Sequence, residues 1–159
     1  THKTPIGELF LVSDEHILLG AGFRNFKDLF ARMDISDQKR EVKSLKSIPI
    51  ISELINDYFD GDLPALGGIK VRQPGAEFSQ EVWKAMRKIP AGKTWSYSDL
   101  AGRAGSPNAV RAAGTACARN LIAPIIPCHR VVKTGGALGN YGYGLEVKDW
   151  LLRHEGALK

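Results

Sequence analysis

The 159-residue sequence predicts an α+β protein of two small domains, and three observations carry that expectation. Short apolar runs between Ile6 and Phe23 read as paired strands, and blocks of helical periodicity follow from Phe26 onward. Between the blocks, Arg72-Gln73-Pro74-Gly75 reads as a connector that divides the chain into 1–75 and 76–159. The first part is expected to be an α/β domain on a small sheet. The second is expected to be mostly helical.

In order, Leu9-Phe10-Leu11-Val12 and Ile17-Leu18-Leu19 flank the polar Ser13-Asp14-Glu15-His16, which predicts a hairpin closed by Gly20 and Gly22. Phe26, Leu29, Phe30 and Met33 recur at helical spacing, as do Ile51, Leu54, Ile55, Tyr58 and Phe59, and these aromatics read as core. The charged stretch Asp34 to Ser47 reads as a surface loop with a solvated basic face. Asp60-Gly61 ends the second helix, and Ile69-Lys70-Val71 is expected as an edge strand. In the second part, Phe78, Val82, Ala85, Met86 and Ile89 predict a helix over 78–88 that stops before Pro90, after which Ala91-Gly92-Lys93-Thr94 turns the chain. Ser96 with Asp99 forms a capping-box signature for a short helix through Ala104, stopped by Gly105. Ser106 as N-cap with Pro107 in first position predicts another helix to about Ala118. Two helices joined so tightly form a helix-turn-helix, an arrangement that commonly offers its second helix to DNA and also occurs without DNA. Small residues Ala109, Ala112, Ala113, Gly114 and Ala116 keep that helix slim for close packing or a groove, while Asn108, Arg111, Thr115 and Arg119 supply polar contacts.

The net charge of +5 fits a protein that meets polyanions, without demanding it. Two cysteines, Cys117 and Cys128, are too few for a disulfide framework, so a reducing interior is the expected address: cytoplasmic with the nucleoid, or nuclear in a eukaryotic source. No apolar run reaches the length of a membrane span, and the start, which lacks an initiator Met, has no signal-peptide anatomy, so no membrane partner is expected.

The chemistry is expected at Pro127-Cys128-His129-Arg130, which plants a thiol beside an imidazole within Ile125-Ile126 and Val131-Val132. A lone cysteine in such a run more often packs as a small hydrophobe. A thiol that reacts does so as thiolate, with its pKa pulled down by a nearby base or positive field. Adjacent side chains diverge on a strand or helix, so Cys128 and His129 would have to meet through a turn, which Pro127 favours, or through a bridging water.

The run Ile126-Pro127-Cys128-His129-Arg130-Val131 resembles the active-site signature of the O6-alkylguanine-DNA alkyltransferases, and further matches extend from about Phe78 to Gly156. Before that the resemblance is diffuse, with Thr4-Pro5-Ile6-Gly7-Glu8-Leu9 as the local echo. The resemblance implies a ribonuclease-H-like first domain and a winged-helix-like second one. It further implies irreversible, stoichiometric transfer of the alkyl group from O6-alkylguanine, and from O4-alkylthymine, in double-stranded DNA to Cys128, with no cofactor and no metal. Trp95-Ser96-Tyr97-Ser98-Asp99-Leu100-Ala101 is similar to the family's Ser-Tyr segment, which puts on Tyr97 the contact with the phosphate beside the target nucleotide. Ala109-Val110-Arg111-Ala112 resembles the recognition-helix motif, whose arginine fills the gap left by the flipped base through the minor groove; that places the role on Arg111. Asn120 matches the hinge asparagine, Pro127 with Asn140-Tyr141-Gly142-Tyr143 the substrate pocket, and Glu155 within His154-Glu155-Gly156 completes a Glu, His, water, Cys chain with His129 and Cys128. A monomer, cooperative or not along DNA, is expected.

Each of these roles has a physical reason. A modified base buried in a duplex must be extruded at an unstacking cost of a few kcal/mol, which an inserted arginine beside the phosphates would partly offset. Displacement at the alkyl carbon is easier when a donor neutralises the departing guanine, and Tyr97 is the candidate donor. The thioether product has no good leaving group, so each molecule acts once. His129 and His154 with two cysteines do not have a zinc spacing. This sequence departs from the family pattern at Leu121 where proline is usual, at Pro124 where an aliphatic is common, and at Tyr143 where a small residue is frequent. Cys117 reads as a packing residue. Two other functions compete: a lesion-binding protein that flips alkylated bases without chemistry, against which Cys128 stands, and a cysteine hydrolase on Cys128, His129 and Glu155, for which no Gly-rich donor loop precedes the cysteine.

Overall fold

The computed structural model describes residues 1–158 and divides into two compact units. Thr1–Pro74 with Leu121–Ile125 make the first, and Gly75–Asn120 with Ile126–Lys159 the second. The molecule is mixed α/β, with small sheets and mostly short helices.

In the first unit, β1 (His2–Thr4), β2 (Gly7–Asp14), β3 (Ile17–Gly22) and β4 (Lys70–Val71) form one sheet in that order. The expected hairpin is β2 and β3, antiparallel with an irregularity between Val12 and Ser13, while β4 runs parallel to β3 at the sheet's end. Strand β1, with only three residues and no apolar alternation, has no sequence signature of its own and forms by pairing His2 with Leu9 and Thr4 with Gly7. Helix α1 (Phe26–Ala31) is capped by the Asn25 side chain, and α3 (Ile51–Phe59) buries Ile51, Ile55 and Tyr58. Gly20 lets Leu29 of α1 approach the sheet closely, since a Cβ there would sit 3.1 Å from a Leu29 methyl. The stretch read as loop contains a one-turn helix, α2 (Ile35–Gln38), because the Asp34 carboxylate accepts from the Ser36 backbone and starts the turn. Its basic residues Lys39, Arg40, Lys43 and Lys46 are all exposed, as expected of a solvated face. Arg40 also makes a two-pronged contact with Asp14 at 2.9 and 3.0 Å, and Arg72, from outside the stretch, reaches Asp37 at 3.2 Å.

The segment Leu121–Ile125 departs from the expected contiguous division, because its backbone extends the first unit's sheet. Ala21 N–H donates to Leu121 O at 2.9 Å and Ala123 N–H to Ala21 O at 3.1 Å, while Ile122 bridges Ala21 in parallel. Leu121, standing where the resemblance anticipates proline, uses the N–H a proline lacks to donate to Gln73 Oε1 at 2.9 Å. The Ala123–Pro124 peptide is cis.

The second unit is built on α4 (Glu77–Met86), α5 (Tyr97–Arg103), α6 (Val110–Arg119) and α7 (Leu145–His154), with the parallel pair β5 (Trp95–Ser96) and β6 (Val131–Val132). Trp83 of α4 is buried and its indole N–H donates to Ala116 O on α6 at 3.0 Å. The capping box at Ser96 and Asp99 is present in both directions and starts α5. Helix α6 begins later than its sequence signature. Ala109 N–H closes a turn onto Ser106 O, and Ala109 itself sits outside helical dihedrals, so Pro107 occupies a turn and the helix starts at Val110.

Candidate active site

Pro127 ends the buried run Ile125-Ile126 and leads into a single 3-10 turn, Cys128–Arg130, closed by Cys128 N–H to Ile126 O and Arg130 N–H to Pro127 O. With three residues per turn, successive side chains are thrown about 120° apart. That is how neighbours in sequence acquire different surroundings: Cys128 is half-buried, whereas His129 and Arg130 are buried. Strand β6 follows at once, its pairing to β5 bracing the turn against the start of α5.

Glu155 is the C-terminal cap of α7 and points inward, where it meets the turn. His129 Nε2 lies 2.9 Å from Glu155 Oε2. Arg130 donates through Nε to Oε1 at 2.9 Å and through Nη2 to Oε2 at 2.8 Å, and its Nη1 donates to the Ile89 carbonyl at 2.7 Å. Burial opposes the Glu155 charge, but the hydrogen bonds from His129 and Arg130 prevail and hold the carboxyl well below its ordinary range. A carboxylate is acceptor-only, so Nε2 carries the proton and Nδ1 is the basic nitrogen. Nδ1 is buried and no group among the described residues hydrogen-bonds to it. Burial also pushes the imidazole below its usual value, against the pull of Glu155, so the ring is neutral at pH 7.

The thiol departs from expectation. Burial pushes Cys128 above the ordinary thiol range, although the Asn120 hydrogen bond and the Lys148 charge work the other way. At rest Cys128 is therefore a thiol, and a thiolate has to be made when it is needed. Asn120, the C-cap of α6, directs its amide to Ile126 O at 2.8 Å and to the Cys128 sulfur at 3.4 Å, so one side chain joins α6 to the cysteine turn. Tyr97 opens α5 beside the same group: a Cβ added at Gly139 would sit 3.5 Å from its hydroxyl, and one at Gly114 3.9 Å from its ring. Burial, with Cys117 and Cys128 close by, raises the Tyr97 phenol, which keeps it a proton donor. Cys117 is a packing residue with its sulfur 3.7 Å from that of Met86, and burial pushes its thiol up strongly.

Lys148 is a buried cation beside the site that the sequence reading did not single out. It is wholly buried, donating to Val131 O at 2.7 Å and Asn140 O at 3.3 Å, and it lends positive potential to Cys128. The signal was in the helical spacing: Lys148, Leu151, Leu152 and Glu155 share the inward face of α7, and a lysine and a glutamate on an apolar stripe ask for partners. Its bond to Asn140 O ties down the glycine-rich loop, in which Tyr141 and Tyr143 pack edge to face with centroids 5.6 Å apart; Gly142 between them is exposed.

Asn108, Arg111, Thr115 and Arg119 lie exposed along one side of α6 and the turn before it, with Ala112 and Ala118 between them. The opposite side buries Ala113 and Ala116. Neither Arg111 nor Arg119 has an ion-pair partner among the described residues, so both guanidinium groups are available to a polyanion. Among those residues there is also no cluster of three His, Cys, Asp or Glu that could hold a metal ion, and no helix long and apolar enough to cross a membrane.

Comparison with known proteins gives concordant findings. Residues 77–157 match the family model described as 6-O-methylguanine DNA methyltransferase, DNA binding domain. The chain is 36% identical to a methylated-DNA–protein-cysteine methyltransferase of Salmonella typhimurium over 98% of this chain and 93% of the relative. A protein of the same name from Methanosarcina acetivorans is 36% identical over 98% of this chain and 96% of its own. In structure, the chain is similar to Mycobacterium tuberculosis OGT in complex with DNA, with a TM-score of 0.79 and 31% identity over 98% of this chain and 90% of that one.

Proposed function

This chain belongs to the family of methylated-DNA–protein-cysteine methyltransferases, and from that premise we propose that Cys128 is the cysteine that takes the alkyl group. The activity is DNA repair by alkyl transfer to the protein itself. The observation that carries the assignment is the buried chain at the cysteine turn: Glu155 accepts from Nε2 of His129, Nδ1 is left as a base with no other partner among the described residues, and Cys128 stands on the same turn, half-buried.

Mechanistically, the neutral imidazole takes the Cys128 proton through a bridging water, and the new imidazolium is stabilised by Glu155. The sulfur then attacks the alkyl carbon of O6-alkylguanine, or of O4-alkylthymine, forming an S–C bond as the C–O bond breaks. Tyr97 gives a hydrogen bond to the departing base, for which its protonated phenol is suited. Lys148 assists by stabilising negative charge on the sulfur, and Asn120 orients that sulfur. Arg111 enters the duplex by the minor groove and occupies the vacated stack, while Asn108, Thr115 and Arg119 engage the backbone; binding weakens as salt rises. Asn140, Tyr141, Gly142, Tyr143 and Pro127 line the pocket for the extruded base. In the same reading the first unit is ribonuclease-H-like, as its small four-stranded sheet supports, and the second is winged-helix-like, as α5, α6 and the β5–β6 pair support. The protein acts as a monomer wherever genomic DNA meets a reducing interior.

Intact mass after incubation with a duplex carrying O6-methylguanine tests this. The expected result is a gain of one methyl per protein, mapped to Cys128 and absent from Cys128→Ala. Retained binding of the lesion without any mass gain would instead make the protein a non-catalytic lesion binder, and release of product over many turnovers would make it a hydrolase.

A further inference from the structure

Arg130 lies beside the reacting residues, yet its head group is turned wholly inward and touches neither the thiol nor the exposed face of α6. It is buried, and its hydrogen bonds go to both oxygens of Glu155 and to the Ile89 carbonyl just beyond α4. Glu155 Oε2 is thereby shared between Arg130 Nη2 at 2.8 Å and His129 Nε2 at 2.9 Å. A carboxylate held by a planar fork cannot rotate away from a third partner. The anchor on Ile89 refers that carboxylate to the end of α4 as well as to the end of α7.

The fork also sets the charge balance around the imidazole. The groups facing His129 are Glu155 and Lys148 from α7, with Arg130 and Cys128 on its own turn. Burial does most to keep the ring neutral; Glu155 draws a proton onto it, and the Arg130 and Lys148 charges oppose that pull. We infer that Arg130 is a positioning residue for the transfer: it locks Glu155 as acceptor for Nε2–H, leaves Nδ1 as the site that receives the thiol proton, and keeps the ring uncharged until then. The inference rests on the reading of Cys128 as acceptor.

The test compares single-turnover methyl transfer from an O6-methylguanine duplex across pH for the unmodified protein, Arg130→Met and Arg130→Lys, with duplex affinity measured alongside. Without the guanidinium, Glu155 draws a proton onto His129 at higher pH. The acid limb of the rate profile for Arg130→Met then moves up by about one pH unit or more, and transfer on that limb falls about tenfold per unit. Duplex affinity stays within about twofold of the unmodified protein, since Arg111, Arg119 and the rest of the exposed face are untouched. Arg130→Lys returns the limb close to its original position without restoring the full rate, because one ammonium does not grip both oxygens. A lowered melting temperature with the limb unmoved overturns the inference and leaves Arg130 a structural brace. Should Arg130→Met fail to fold, Arg130→Lys decides by itself: a plateau rate below that of the unmodified protein at unchanged duplex affinity upholds the inference, and an unchanged rate overturns it. If the unmodified protein does not methylate Cys128, the parent reading falls and takes this one with it; if it does and both variants keep its profile, only this one falls.

Discussion

At the scale of single residues, the site keeps its reactive groups uncharged at rest and concentrates charge in Glu155, Arg130 and Lys148. That arrangement has a pH signature. His129 and Glu155 both have folded pKa values below their ordinary ones, so each contributes stability that is present above its unfolded pKa and is lost as pH falls toward the folded value. Thermal melting followed downward from neutral pH is therefore expected to hold until about 6.5, decline as unfolded His129 takes up its proton, and decline further below about 4.3 as unfolded Glu155 does the same. His129→Gln reduces the first decline to what His2, whose imidazole is also lowered by burial, supplies, and leaves the second. A first decline that survives that substitution at full size would assign it to another group. Cys128, His129 and Glu155 were legible as letters of a motif. Their protonation states were not, because packing raises the thiol and lowers the imidazole, and packing is a property that sequence does not carry. Lys148 was passed over for a related reason: a lysine is read as surface until the face it shares with Leu151, Leu152 and Glu155 is counted.

Among the elements, those with local chemistry of their own were read most closely. The α5 capping box is one, and Ser96→Ala is expected to lower stability by about 1 kcal/mol through loss of the bond to Asp99 N–H, measurable as a lower denaturant midpoint at unchanged slope. The same helix carries Tyr97 in its first position, so fraying there should also slow transfer. The β2–β3 hairpin, α1, α3 and α4 were similarly visible in apolar spacing. What local pattern misled was the start of α6, where Ser106-Pro107 satisfies the rules for a helix start and for a turn equally well, and the turn won. The shortest elements left no mark. Strand β1 has three residues and exists only through β2, and the two-residue β5 and β6 pair across 36 positions, Trp95 with Val131.

For the whole molecule, the two compact units part between Pro74 and Gly75, but a single cut there does not yield two self-sufficient halves. Leu121, Ile122, Ala123 and Ile125 are buried, and the backbone of Leu121 and Ala123 is bonded to Ala21 and Gln73 of the first unit. A fragment spanning 76–159 would carry that apolar segment with its partners removed. Such a fragment is expected to melt well below the full chain and to bind a hydrophobic dye at neutral pH; a midpoint equal to that of the full chain would show the segment to be dispensable for the fold of the second unit. The threading of Leu121–Ile125 also bears on synthesis. When Pro74 has emerged from the ribosome, the backbone groups of Ala21 still lack the partners they take from Leu121 and Ala123, and α4 through α6 must be translated before those arrive. A nascent chain of this protein therefore holds its first domain open until most of the second has been made, and a stall between the two leaves an unfinished sheet edge waiting in the cell.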